Sequence, residues 1–227
     1  MKNLLENDLP AFYCVGRRCI CDENITSLSE FDITEDDTQF VVDYKKGYAS
    51  FCGNPFNLSV VNYDTYIGKY TGTKIADGKR RCDFILTDTG TDNVIILCEV
   101  TSSIGGIENL SRPIEKTKKD GTRTVVFPRG KYQKVELQLY QSLETLTEVP
   151  SIASYINSKK RKVCLMSYLI KRTENNAINA FNRNRLMEAE EAGENGAQIS
   201  CSQIEQFGFD YYRISHDYSF KIDNNRK

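Results

Sequence analysis

The 227-residue chain holds a single histidine, His216, and no apolar run near the 18 or so residues that span a bilayer. With one histidine far from most cysteines, a zinc site has little to draw on. Cys14, Cys19, Cys21 and Cys52 do not form the two close pairs such a site uses. His216 next to Asp217 has no well-placed nucleophile beside it, which argues against acid–base catalysis there. The opening residues Met1 to Asp8 lack the apolar centre of a secretory signal. The expectation is a soluble, cytoplasmic chain without a membrane partner and with reduced thiols. Repeats and low-complexity tracts are also missing.

What is present is an ordinary globular composition, 40% apolar and 27% charged, with a net charge of −1. That small net charge conceals an asymmetry. Residues 1–40 carry three basic against nine acidic side chains, whereas residues 112–172 carry fourteen basic against five acidic. A basic middle segment suits phosphates. Within it Lys116, Lys118, Lys119, Arg129, Lys131, Lys159, Lys160, Arg161 and Lys162 are the candidate nucleic-acid contacts. The plainer reading of such a run is a set of solvated loops and helix faces.

Two apolar runs, Cys82 to Asp88 and Val94 to Thr101, flank the turn-rich spacer Thr89 to Asn93. That spacing predicts an antiparallel hairpin. Asp83 lies near the start of its first strand and Glu99 near the end of its second, so the two carboxylates converge at one end. Converging carboxylates suit a divalent ion, since magnesium takes one or two protein carboxylates and keeps several waters. The carbonyl of Val100 is a third candidate oxygen. The plainer alternative pairs Asp83 with Arg80 or Arg81 and leaves Glu99 exposed at a strand end.

Elsewhere, Thr38 to Tyr44 and Asn57 to Tyr63 read as strands, Thr26 to Phe31 as a short helix or turn, and Gly68 to Lys79 as a loop. Ser102 to Gly130 is long, polar and basic, which marks a functional segment. Thr124 to Phe127 reads as a short strand inside it. Val135, Leu139, Leu143 and Leu146 recur at helical spacing and predict a helix over 131–148, closed by Pro150. Lys134, Gln138, Gln141 and Thr145 form a polar stripe on that helix, directed either at the hairpin end or at solvent. Lys162 to Ile170 reads as a buried strand, 174–192 as a second amphipathic helix, and Tyr211 to Ser215 and Tyr218 to Ile222 as final strands. Tyr211, Tyr212, Tyr218 and Phe220 suit sheet packing better than base stacking. Strand, helix and strand in this order predict an α/β (α+β) fold, a mixed central sheet flanked by helices.

An acid on one strand, Glu99-Val100-Thr101 on the next, then a helix with Lys134 and Gln138 and a further strand resemble the PD-(D/E)xK nuclease superfamily over about residues 80–170. The resemblance implies a restriction-endonuclease-like core inside a single domain, 1–227, with N- and C-terminal elaborations. It implies a Mg2+- or Mn2+-dependent endonuclease, a hydrolase of phosphodiester bonds in nucleic acid, expected to be DNA. Asp83 and Glu99 match its metal-binding acids and Val100 its metal-facing carbonyl. Thr101 stands where the family has lysine, which makes Lys134 the stand-in and Gln138 its companion. Glu30 or Glu35 is the candidate for the family's upstream glutamate. The missing lysine also leaves a second expectation, an inactive nuclease-like scaffold that binds nucleic acid or a partner protein. In either case the chain acts as a homodimer or within a protein complex, if not alone.

Overall fold

The computed structural model describes residues 1–35, 40–43, 49–90, 92–101, 114–117, 123–126, 130–169 and 187–223. At its centre is a seven-stranded mixed sheet. Its strands are β1 (Glu23–Thr26), β5 (Leu58–Asn62), β6 (Phe84–Asp88), β7 (Val94–Thr101), β10 (Arg161–Tyr168), β12 (Asp210–Ser215) and β11 (Ala197–Ile199), in that spatial order. A second sheet orders β13 (Ser219–Lys221), β4 (Ala49–Cys52), β2 (Phe31–Glu35) and β3 (Phe40–Asp43). The short pair β8 (Ile114–Thr117) and β9 (Arg123–Val126) stands apart.

The hairpin forms as its spacing predicts, β6 and β7 pairing antiparallel with Phe84 opposite Cys98. Both strands are covered on both faces, which explains their unbroken apolar runs. On one face Ile85, Ile95, Leu97, Cys164 and Met166 meet the helices. On the other, Leu86, Ile96, Cys98 and Leu165 meet Phe31, Ile33, Phe51 and Phe220 of the second sheet. The result is a layer of helices, a mixed sheet and a second sheet, an α+β architecture.

The predicted helix is α3 (Lys131–Thr147), which buries Val135, Leu139, Leu143 and Leu146. From β7 the chain crosses through α3 and α4 (Pro150–Ser158) to β10, which runs parallel to β7. Pro150 does not merely close α3. It occupies the first turn of α4, where a missing N–H costs nothing because that donor has no intrahelical partner. The region read as a helix or turn at 26–31 instead ends β1, bends and starts β2. The stretch from Gly68 to Lys79 follows the short helix α2 (Tyr63–Gly68) as a series of turns. Of the predicted helix at 174–192, the part before 187 lies outside the described residues, and 187–192 is helical. Five of the eight cysteines, Cys21, Cys52, Cys82, Cys98 and Cys164, are buried, and all eight are free thiols. No helix among the described residues is long and apolar enough to cross a membrane.

Candidate functional site

Extending the β6–β7 register by one position places Asp83 opposite Glu99. The amide of Val100 donates to Asp83 Oδ2 at 2.7 Å, which fixes that carboxylate at the mouth of the hairpin. The Asp83 carbonyl accepts from the amides of Tyr63 and Asp64, so α2 starts at the same spot. Asn62 caps α2 by accepting from the Thr65 amide at 3.0 Å. Asp64 thereby starts beside the pair, while its carboxylate is taken by Arg81, whose Nε lies 2.5 Å away.

One face of α3 holds the approach to Asp83. Gln141 Oε1 accepts from the Arg80 amide at 2.7 Å, and Ser142 Oγ accepts from the Cys82 amide at 2.8 Å. Gln138 Nε2 donates to the Arg81 carbonyl at 3.2 Å and to Glu99 Oε1 at 2.6 Å. Residues 138, 141 and 142 share a face because they are three and four apart. The polar stripe therefore faces the hairpin rather than solvent at Gln138 and Gln141. Lys134, one turn earlier, is exposed.

Glu99 is 6% exposed, and its Oε2 has no hydrogen-bond partner. A buried carboxylate oxygen left unmatched is costly unless the group is neutral or meets a cation. Burial first, then the charge of Asp83, pushes the Glu99 carboxyl up to about 9 from its ordinary 4.5, with Asp64 adding to the rise. The bond from Gln138 works the other way by favouring the ionised form. Thr101 is buried two positions on, beside Tyr168 of β10, and carries no charge toward the acids. Among the described residues no group of three or more His, Cys, Asp or Glu side chains gathers to hold an ion. The Asp83–Glu99 pair still fits a cation, because Oε2 is a buried acceptor without a partner and a positive ion offsets the repulsion between the two acids.

The basic cluster lies elsewhere. Arg161 is opposite Val94 and Met166 is opposite Glu99, so the start of β10 is five residues, about 17 Å, from the carboxylates. Lys159 is 4% exposed and ion-paired to Asp88 at 3.1 Å, with its ammonium 4.4 Å over the Tyr155 ring. Far from being a surface contact for phosphate, it is spent on the acid that ends β6, next to the hairpin turn. Arg161 donates to the carbonyls of Lys221 and Ile222. Lys160 is exposed and Lys162 half-buried at this far end. Lys131 opens α3 and Lys116 belongs to β8, while Lys118, Lys119 and Arg129 lie outside the described residues. Glu30 is exposed in the bend between β1 and β2, within the part of the chain that feeds the second sheet. Burial holds His216 down to about 4, so it is neutral at physiological pH.

Asp64 escapes a sequence search because nothing in its local pattern ties it to a hairpin about twenty residues away. The Asn62 cap that starts its helix is the one available signal. Compared with known proteins, the chain matches no family model, no curated protein and no solved structure.

Proposed function

We propose that the protein is a metal-dependent nuclease of the PD-(D/E)xK type that hydrolyses phosphodiester bonds in DNA. The observation that supports this reading is the buried Glu99, whose Oε2 has no hydrogen-bond partner, opposite Asp83 in the hairpin register. Asp83 and Glu99, with the carbonyl of Val100, would hold a Mg2+ or Mn2+ ion. When bound, such an ion acidifies a water and offsets charge on the leaving oxygen.

The remaining roles belong to the chain itself. Gln138 orients Glu99 and ties it to the Arg81 carbonyl, so the acid keeps one position while substrate enters. Val100 N–H donates to Asp83 and fixes the position of its carboxyl. Lys134, exposed one turn before Gln138, is the cation on this face of α3 that reaches toward a phosphate.

A second reading is favoured by Thr101, which leaves the strand without a cation two positions beyond Glu99. On that reading the fold is a scaffold that binds nucleic acid or a partner protein without cutting. Incubation with plasmid and linear DNA and with RNA, in Mg2+ or Mn2+, separates the two. Cutting that disappears in Asp83→Ala and Glu99→Ala is expected. Salt-sensitive binding without cutting supports the scaffold.

A further inference from the structure

Gln138 is the midpoint of a line of side chains along α3, with Lys134 one turn before it and Gln141 about one turn after. Gln138 holds Glu99 and the Arg81 carbonyl, whereas Gln141 holds the Arg80 amide at 2.7 Å. Arg80 is thereby fixed through its backbone on one side of the acids along the helix axis, and Lys134 stands on the other. The helix rises about 10 Å between Lys134 and Gln141.

The cations around this face divide into those already paired and those not. Arg81 is paired with Asp64 at 2.5 Å and Lys79 with Glu148 at 3.3 Å. Arg213, in one row with Glu99 and Met166 across β7, β10 and β12, is paired with Glu136 at 2.7 Å. Arg80 and Lys134 are exposed, and among the described residues neither side chain makes an ion pair or a hydrogen bond. Asp83 and Gln138 are half-buried, so solvent reaches the acid pair although Glu99 itself is covered. One exposed cation is an ordinary solvated side chain. Two that lack an anion and bracket a pair of carboxylates form a surface complementary to a string of external negative charges.

We infer that the phosphodiester backbone of a nucleic acid runs along α3, with Arg80 and Lys134 on phosphates to either side of the Asp83–Glu99 pair. One strand of a B-form duplex carries a charge about every 3.4 Å along its axis, so the span between the two anchor points covers about three phosphates, the middle one at the acids. The run from Lys159 to Lys162 takes no part. It lies about 17 Å away, and Lys159 and Arg161 are committed within the fold. The assignment rests on the nuclease reading for the place where a strand is cut, not for the binding itself.

The test is fluorescence anisotropy of a short labelled DNA duplex, and of the RNA duplex of the same sequence, titrated with the full chain in EDTA across a series of NaCl concentrations. Salt-sensitive binding is expected, and the duplex bound more tightly identifies the source of the backbone. Arg80→Gln and Lys134→Gln are each expected to weaken binding several-fold and to lower the slope of log Kd against log salt by about one, and the double variant by about two. Lys160→Gln is expected to change neither. All three positions are exposed, so each variant is expected to keep the parent circular dichroism. Unchanged affinity and slope in the double variant overturn the inference. So does absence of binding to both duplexes, or an equal loss in Lys160→Gln. Asp83→Ala is expected to bind at least as tightly as the parent chain, since it removes a negative charge beside the track. A chain that binds through Arg80 and Lys134 but cuts nothing in Mg2+ removes the nuclease reading alone. A chain that cuts while its double variant binds as the parent does removes this inference alone.

Discussion

Gln138 on α3 donates from one side-chain nitrogen to both the Glu99 carboxylate and the Arg81 carbonyl, tying the helix to β7 and to the segment that enters β6. The helix thereby positions the acids as well as covering the sheet. A change at Gln138 acts on stability and on the site together.

Replacing Gln138 with Ala leaves Glu99 Oε1 and the Arg81 carbonyl short of a donor in a buried setting. A loss of about 1–3 kcal/mol in urea-denaturation stability is expected. Because the Gln138 bond favours the ionised form, its removal also raises the Glu99 pKa further, which NMR titration of the Glu99 side chain reads directly.

The folded Glu99 carboxyl titrates near 9 against about 4.5 when free. Between those values the native state binds a proton that the unfolded chain releases, so stability falls as pH rises from about 4.5 to about 9. Glu99→Gln removes that slope. Saturating Mn2+ also flattens it, because the ion stabilises the ionised pair. Chemical denaturation at a series of pH values, with and without the ion, reports all three.

His216 contributes with the opposite sign. Its folded pKa is near 4 against 6.5 when free, so the unfolded chain binds more protons between those values. Stability is lost as pH falls from about 6.5 toward 4, and His216→Asn is expected to remove that acid-side loss.

Lys159→Met breaks a buried ion pair and removes the cation that faces the buried Asp88. A destabilisation of about 3–5 kcal/mol is expected in thermal or urea unfolding. Lys160→Met, an exposed neighbour, is expected to stay within about 0.5 kcal/mol of the parent chain.

Much of the fold can be read directly from residue order. Val94 to Thr101 and Arg161 to Tyr168 are covered on both faces, so their apolar runs are unbroken, and α3 buries a single stripe of Val135, Leu139, Leu143 and Leu146. The N-terminal strands are hidden because β1 exposes Ile25 and buries Thr26, which inverts the usual signal. The Asp83–Glu99 juxtaposition follows from hairpin spacing alone. The destination of each charge does not. Lys159 looks like its neighbours Lys160 and Lys162 along the chain, and only the folded chain brings Asp88 to it. Asp64 and Arg213 reach the same sheet face from segments whose local patterns give no hint of it.

Titration of the chain with Mn2+, followed by the electron paramagnetic resonance of the free ion, tests the paired-acid site most directly. One ion bound per chain, lost in Asp83→Ala and in Glu99→Ala while both variants keep the parent circular dichroism, is the predicted result. No bound ion, or binding that persists unchanged in both variants, contradicts it.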